Sequence, residues 1–355
     1  MSAASSNPAT MRAARLHGIG DLRLEELPMP APGPGQVLLR VAAVGVCGSD
    51  VHYYRKGRIG DQVVDAPLIL GHEFSAWVAE RGAGVPEPRE GQLVAVDPAI
   101  PCGRCELCLQ GHPNLCPEVR FCGTPPVDGV LCDYVVMPAE NCFPLPQGFS
   151  AAAGALLEPL GIAIHTVDLA HLKPGQTVAV LGAGPIGLLT AAVARAAGAS
   201  AIWMTEPLPR RRQFALDYIA DAVFDPAATD VVAGVMRLSH DRGVDVAFEA
   251  CGAPETPQQA AAMARRGGKV ILVGIPADDS LTMRADTVRR KGLTIKLVRR
   301  MKHTYPRAIW LAQSGAVDLA PLVTHLYPLD RIGHAFETVA SYADGVLRAV
   351  IQMRA

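Results

Sequence analysis

Thr177-Val-Ala-Val-Leu-Gly-Ala-Gly-Pro-Ile-Gly187 joins a short apolar run to an Ala/Leu-rich segment through three glycines. Thr177 to Leu181 is apolar without alternation, as expected of a strand buried on both faces of a parallel sheet. Ile186 to Ala197 reads as a helix. A lone G-x-G-x-x-G says little, but a strand directly before it and a helix directly after it make a dinucleotide-binding turn. Gly182 permits the tight turn, Gly184 lets backbone approach a pyrophosphate, and Gly187 lets helix and strand pack closely. The helix N-terminus supplies free N–H groups and the positive end of a dipole. Gly182, Gly184, Pro185, Ile186 and Gly187 are therefore the expected cofactor contacts.

Further strand–helix units follow. Ala201–Met204, Asp245–Phe248 and Lys269–Val273 read as strands, and Arg210–Ile219 and Pro257–Ala264 as helices. Alternation at this spacing implies an α/β chain with a doubly wound parallel sheet. Upstream, residues 12–150 are rich in Gly and Pro. Val37–Val44, Trp77–Val78 and Gln92–Val96 read there as short strands of a mostly β domain. From about residue 295 come one more strand, a helix over Tyr305–Ser314, and a helix–strand pair ending at Met353.

Glu206 stands nineteen residues after Gly187, at the end of the second strand. An acid there accepts hydrogen bonds from adenosine-ribose hydroxyls and repels a 2′-phosphate, which favours NAD over NADP. Arg210, Arg211 and Arg212 oppose that reading, because a nearby Arg can hold a 2′-phosphate.

The chain has 355 residues, half of them hydrophobic, and a net charge of -1. It is long enough for two domains and has no electrostatic footprint for nucleic acid. The basic runs Arg210–Arg212 and Arg289–Lys291 read as solvated helix ends or loops. Met1 to Thr10 is Ser/Ala/Asn/Pro-rich, without a basic or apolar leader segment, and reads as a disordered tail. The most apolar stretch, Val178–Met204, is interrupted by Arg195, Pro185 and several Gly. It reads as buried strand–helix–strand, not a membrane span. Nine cysteines, five of them outside the cluster described next, suit a reducing compartment, and cytoplasm is expected.

Cys102, Cys105, Cys108 and Cys116 can close a tetrahedral thiolate site on their own, with Gly103, Gly111 and Pro113 letting the loop wrap. Such a closed site is structural zinc. A second, open site is expected from Cys47, His72, Glu73 and Glu158. One Cys, one His and one or two Glu can hold zinc while leaving a position for substrate. The residues themselves leave open whether Glu73 or Glu158 is the direct ligand.

The chain resembles the zinc-dependent medium-chain dehydrogenases, and among them the sorbitol (polyol, xylitol) dehydrogenase group. The resemblance covers nearly everything after residue 11. It is carried by Cys47-Gly-Ser-Asp-Val-His-Tyr53, Gly57-Arg-Ile-Gly-Asp61, Gly71-His-Glu73, Phe121-Cys-Gly-Thr-Pro-Pro126, Leu157-Glu-Pro-Leu160 and Pro321-Leu-Val-Thr-His325. It implies a GroES-like mostly-β catalytic domain over 11–157, a Rossmann NAD-binding domain over 158–296, and a return to the catalytic domain over 297–355. It also implies two zinc ions per chain, with Cys47, His72 and Glu73 as catalytic ligands. Glu158 then holds the zinc water or enters the shell itself. Tyr53, Ile59, Phe121, Thr124 and Arg300 match substrate positions; Glu206 and Arg211 match cofactor positions. A homotetramer is implied as well. The chain departs from the group at Ala76, where the family carries Gly. At Arg299 and Met301, animal sorbitol dehydrogenases carry aromatics. The four-Cys cluster is complete here and lost in those animal enzymes.

The expected reaction is oxidation of a secondary hydroxyl of a sugar alcohol to a ketose with NAD. The alternative is an aldonate, a vicinal diol or a simple secondary alcohol on the same scaffold. Ser49 and His52 are expected to relay the released proton, unless Ser49 only caps a helix and His52 faces solvent.

Overall fold

The computed structural model describes residues 10–276 and 278–354. The tail expected over Met1 to Thr10 lies outside the described residues except for Thr10. The chain folds as two units, one running to Glu158 and resuming at Leu319, the other Pro159–Asp318.

The second unit holds six parallel strands in the order Ala222–Phe224, Ala201–Thr205, Thr177–Leu181, Val244–Glu249, Ala264–Leu272, Thr294–Leu297. In sequence that is 3-2-1-4-5-6, so the order reverses between Thr177–Leu181 and Val244–Glu249. In such a sheet the ligand crevice opens at the carboxyl ends of those two strands. Helices pack on the sheet through buried Val231, Val235, Ala260 and Met263 against Ala179, Leu181, Ala247 and Val270. Burying each larger apolar side chain contributes about 1.5–3 kcal/mol.

The strand Ala222–Phe224 and the helix Val231–Leu238 went unread in the sequence. Asp230 caps that helix, its side chain accepting from the N–H groups of Val232 and Ala233. Val231 and Val235, four apart, bury its inner face. The strand expected from Lys269 begins at Ala264, because the pairing slips between Val244/Ala264 and Val246/Lys269.

The second unit also keeps residues 297–318, so the return comes at Leu319, later than expected. Hydrogen bonds hold this segment: Arg307 donates to Asp168 at 2.9 Å, Tyr218 Oη donates to the Asp318 carbonyl at 2.7 Å, and Val298 N–H donates to the Leu272 carbonyl at 2.9 Å. The run Ala151–Ala170 has the length and hydropathy of a membrane span, yet 72% of its most apolar window is buried inside the protein. The basic run Arg289–Lys291 forms the last turn of helix Ala285–Lys291, where positive charge suits the dipole. Lys291 Nζ also donates to the carbonyls of Ala261, Ala262 and Ala264.

In the first unit, Gln36–Gly45 is the central strand of a mixed sheet. It pairs antiparallel with Glu73–Arg81, Tyr134–Pro138 and Arg348–Gln352. Leu39, Val41, Val44, Phe74, Val94, Leu131, Phe336 and Ile351 build its core. Ala76, where the family carries Gly, is fully buried opposite Val41 and Val94. Strands Gln36–Gly45 and Glu73–Arg81 bring Cys47 and the His72–Glu73 pair to one end of the sheet.

Candidate metal and dinucleotide sites

The thiols of Cys102, Cys105, Cys108 and Cys116 lie within 4.8 Å of one another. Gly103 and Gly111 take positive φ values of 71° and 78°, letting the loop wrap without strain. Backbone N–H groups point at the sulfurs: Cys102 N–H to Cys116 Sγ at 3.3 Å, and Cys105 N–H to Cys102 Sγ at 3.4 Å. Such donors stabilise thiolates. The N–H groups of Arg104 and Cys105 pull Cys102 down to about 7, whereas burial and the neighbouring Cys105 push Cys108 up to about 12. Four convergent sulfurs with aimed N–H groups fit a closed tetrahedral metal site.

The second group is Cys47, His72 and Glu73, whose ligand atoms also lie within 4.8 Å of one another. Cys47 leads into helix Gly48–Lys56. Gly71 turns the chain into His72 at φ 91°, where a Cβ would fall 2.9 Å from Leu131 Cγ. Gly45 pairs with Glu73 across the strands, and a Cβ there would sit 2.4 Å from Glu73 Oε2. The missing side chain at Gly45 thus makes room for the carboxylate.

Two partners were not foreseen. Asp50, buried on the first turn of helix Gly48–Lys56, accepts from Cys47 N–H at 3.0 Å and Gly71 N–H at 3.1 Å. It also lies 3.4 Å from His72 Nδ1. An acid three residues after a helix-opening Cys was a readable signal. Arg348, 3% exposed, donates to the Val46 carbonyl at 2.7 Å and holds Nη1 2.9 Å from Glu73 Oε2. Although that pair is close, its alignment is not that of a hydrogen bond, and both Glu73 oxygens are buried without a hydrogen-bond partner. Nothing in the sequence pointed to Arg348.

Burial opposes charge on His72, but Asp50 and Cys47 outweigh it and raise its pKa well above the usual value. Glu158 is buried and pushed up to about 8, by burial first and then by Glu73 and Asp97, against His72 and Arg348. It is not one of the three groups whose ligand atoms converge. Several buried acids and a thiol against one guanidinium call for a cation, and the convergent Cys, His and Glu donors suit zinc.

The Phe121 ring lies 5.3 Å from that of His72, tilted 52°, and Thr124 N–H donates to the Phe121 carbonyl at 3.1 Å. Tyr53 is buried and donates from Oη to Gln62 Oε1 at 3.3 Å. Gln62 pairs with Ile59 in the small hairpin that follows. Ser49 sits in the first turn of the helix and His52 in its second, both half-buried. Ser49 is therefore not the cap, a place taken by Cys47. Arg300 belongs to the second unit, between Thr294–Leu297 and helix Tyr305–Gln313, with a left-handed φ of 52°.

In the second unit Gly182 takes φ 101°. A Cβ on Gly187 would fall 2.0 Å from the Gly182 carbonyl oxygen, so helix Pro185–Ala196 requires glycine there. Pro185 and Ile186 open that helix. Glu206, 5% exposed, accepts from Ala183 N–H at 2.8 Å and Leu208 N–H at 3.0 Å, so it grips the glycine turn. Arg211 Nη1 would lie 3.5 Å from a Cβ on Gly184, beside the phosphate-binding turn. Arg212 is committed to Asp225 at 2.8 Å and to the Glu206 carbonyl at 3.0 Å. Arg210 is exposed. A bare glycine cradle with an acid behind it and an Arg beside it fits a dinucleotide.

Comparison with known proteins agrees with this geometry. Residues 33–147 match the alcohol dehydrogenase GroES-like domain, and residues 185–314 match the zinc-binding dehydrogenase domain. The chain is 39% identical to a sorbitol dehydrogenase of Bacillus subtilis, over 97% of this chain and 98% of that one. It is also 39% identical to a probable D-xylulose reductase A of Aspergillus clavatus, over 96% of each. Among solved structures, an Escherichia coli oxidoreductase of unknown specificity superposes with a TM-score of 0.93 at 32% identity, covering 98% of this chain and all of that one.

Proposed function

The chain belongs to the zinc-dependent medium-chain dehydrogenase family, in its sorbitol dehydrogenase group, and we propose that it oxidises a secondary hydroxyl of an acyclic polyol to a ketose with NAD. The observation that carries this reading is the convergence of Cys47, His72 and Glu73 within 4.8 Å, in a chain that also folds a dinucleotide-binding sheet.

Cys47, His72 and Glu73 hold the catalytic zinc, and Cys102, Cys105, Cys108 and Cys116 the structural one. When bound, zinc supplies a Lewis-acid field that lowers the pKa of a nearby hydroxyl, and the nicotinamide supplies a hydride acceptor. Glu158, buried and acidic, would hold the metal's water or enter its shell. Ser49 and His52 pass the released proton outward. Tyr53, Ile59, Phe121, Thr124 and Arg300 orient the polyol. Gly182, Gly184, Pro185, Ile186, Gly187 and Arg211 bind the cofactor, with Glu206 selecting NAD. Nine cysteines, five of them assigned to zinc, suit a reducing compartment, the cytoplasm, and the family resemblance supports a homotetramer.

A specific feature favours an acidic polyol such as an aldonate as a second reading. Arg299 stands beside Arg300, the residue matched to a substrate position. The test is an initial-rate panel of polyols, aldonates, vicinal diols and simple alcohols with NAD and NADP. Polyols with NAD should lead. An aldonate leading would move the assignment to the second reading, and turnover undiminished in Cys47→Ala would overturn both.

A further inference from the structure

Glu249 ends the strand Val244–Glu249, directly beside Leu181 in register, at the point where strand order reverses. Its side chain is fully buried, and one oxygen gathers four donors. Oε1 accepts from Gly252 N–H at 2.7 Å, Cys251 N–H at 2.9 Å and Cys251 Sγ at 3.1 Å, and from Thr256 Oγ1 at 3.0 Å, whose one proton is shared with the Ala253 carbonyl at 2.8 Å. The backbone carbonyl of the same residue accepts from the N–H groups of Val273 and Gly274. One residue therefore ties the turn after its own strand to the turn after the next.

Those turns are packed backbone to backbone. A Cβ on Gly252 would fall 2.4 Å from the Ile275 carbonyl oxygen, and one on Gly274 would fall 2.2 Å from Gly252 N. On the other side, a Cβ on Gly182 would meet Cys251 Cβ at 2.9 Å and the Ala250 carbonyl oxygen at 3.3 Å. The Ala250–Gly252 turn thus packs directly against the glycine turn, at the edge of the crevice where a doubly wound sheet binds its dinucleotide. Cys251 is exposed as a residue, yet its thiol is turned onto Glu249.

We infer that Glu249 is the positioning residue of the dinucleotide crevice: its carboxylate holds the Ala250–Gly252 turn in the place that leaves the glycine turn open to the cofactor. The inference rests on the NAD reading above. Without the latch, the turn samples positions that narrow or misshape the crevice, and binding is weakened by the fraction of time the competent form is lost. Burial and the Glu249 charge also push the Cys251 thiol up to about 12, so a released thiol should react faster.

The experiment uses the full zinc-loaded chain and measures NADH affinity by fluorescence titration, with Cys251 alkylation followed by peptide mass spectrometry. In the wild type, NADH should slow alkylation of Cys251. Glu249→Ala should raise the NADH Kd about tenfold and speed Cys251 alkylation, with zinc content unchanged. Glu249→Gln, which keeps an acceptor oxygen, should restore part of the affinity. A folded Glu249→Ala chain with a wild-type NADH Kd overturns the inference and leaves the cofactor reading standing. If Glu249→Ala does not fold, Thr256→Val removes one arm of the latch. A raised Kd there supports the inference, and an unchanged Kd with unchanged Cys251 reactivity overturns it. A wild-type chain that binds no NADH overturns the cofactor reading and this inference together.

Discussion

Asp50 lies against His72: its Oδ1 is 3.4 Å from His72 Nδ1, while the same carboxylate accepts the N–H groups of Cys47 and Gly71. One buried acid therefore binds the backbone beside one candidate metal ligand and lies against the ring of another. A carboxylate behind a ligating imidazole fixes its tautomer and raises its basicity. Asp50→Asn should weaken zinc binding at the Cys47 site by about 10–100-fold. Zinc content after chelator challenge checks this, and the thiolate cluster should keep its metal throughout. Loss of both ions together would refute the separation of the two sites.

Arg348 and Glu73 form a buried pair at 2.9 Å, both under 5% exposed. Arg348→Met leaves an uncompensated carboxylate in the core. Breaking a buried pair in this way costs about 3–5 kcal/mol. Urea unfolding of Arg348→Met, metal-free and zinc-loaded, measures it. The loss should be smaller with zinc, because the cation then compensates Glu73.

Cys102→Ser removes one sulfur from the closed site. The expected outcome is one zinc per chain instead of two, a lower Tm, and a folded fraction that still turns over. Metal analysis with Tm and specific activity separates the effects. Complete inactivity of the folded fraction would tie the cluster to the chemistry.

Glu206→Gln tests cofactor choice. Glu206 now accepts from Ala183 N–H and Leu208 N–H with its two oxygens, and a single amide oxygen cannot serve both. The kcat/KM ratio for NAD over NADP should fall about tenfold, through lost ribose contacts and lost repulsion of a 2′-phosphate. An unchanged ratio would move cofactor discrimination to Arg210 or Arg211.

Asp245 gives a pH test of the second unit. Burial opposes its charge, but Arg242, Thr177 N–H and Arg265 outweigh it and hold its pKa well below the usual carboxylate range. A folded-state pKa below the unfolded one means stability present above the unfolded value and lost as pH falls through the folded one. Asp245→Asn should therefore lose about 1–3 kcal/mol at neutral pH. The gap from wild type should close as the medium is taken below about pH 4. A gap independent of pH would show that shape, not charge, is what Asp245 contributes.

Much of this protein was legible because its chemistry is written in short spans. The glycine turn and the four-Cys loop carry their geometry within a few residues, so spacing alone points to them, whereas the choice of Cys47, His72 and Glu73 over Glu158 came only from the family resemblance. The strands flanking Gly182 were readable because a strand buried on both faces must be apolar without alternation. The helix Val231–Leu238 was missed although its cap and its buried pair are local, because its strand neighbour Ala222–Phe224 is only three half-buried residues long.

The sequence by itself determined which residues could hold metal and phosphate, and that a parallel sheet would carry the glycine turn. Tertiary structure alone decided what surrounds them. Arg348 meets Glu73 only because its strand returns from the far end of the chain to pair with Gln36–Gly45. Glu249 faces the glycine turn only because Val244–Glu249 inserts beside Thr177–Leu181. Buried charge can persist only where an opposite charge or a donor is brought to it, and strand pairing across hundreds of residues leaves no periodicity for a linear reading to find.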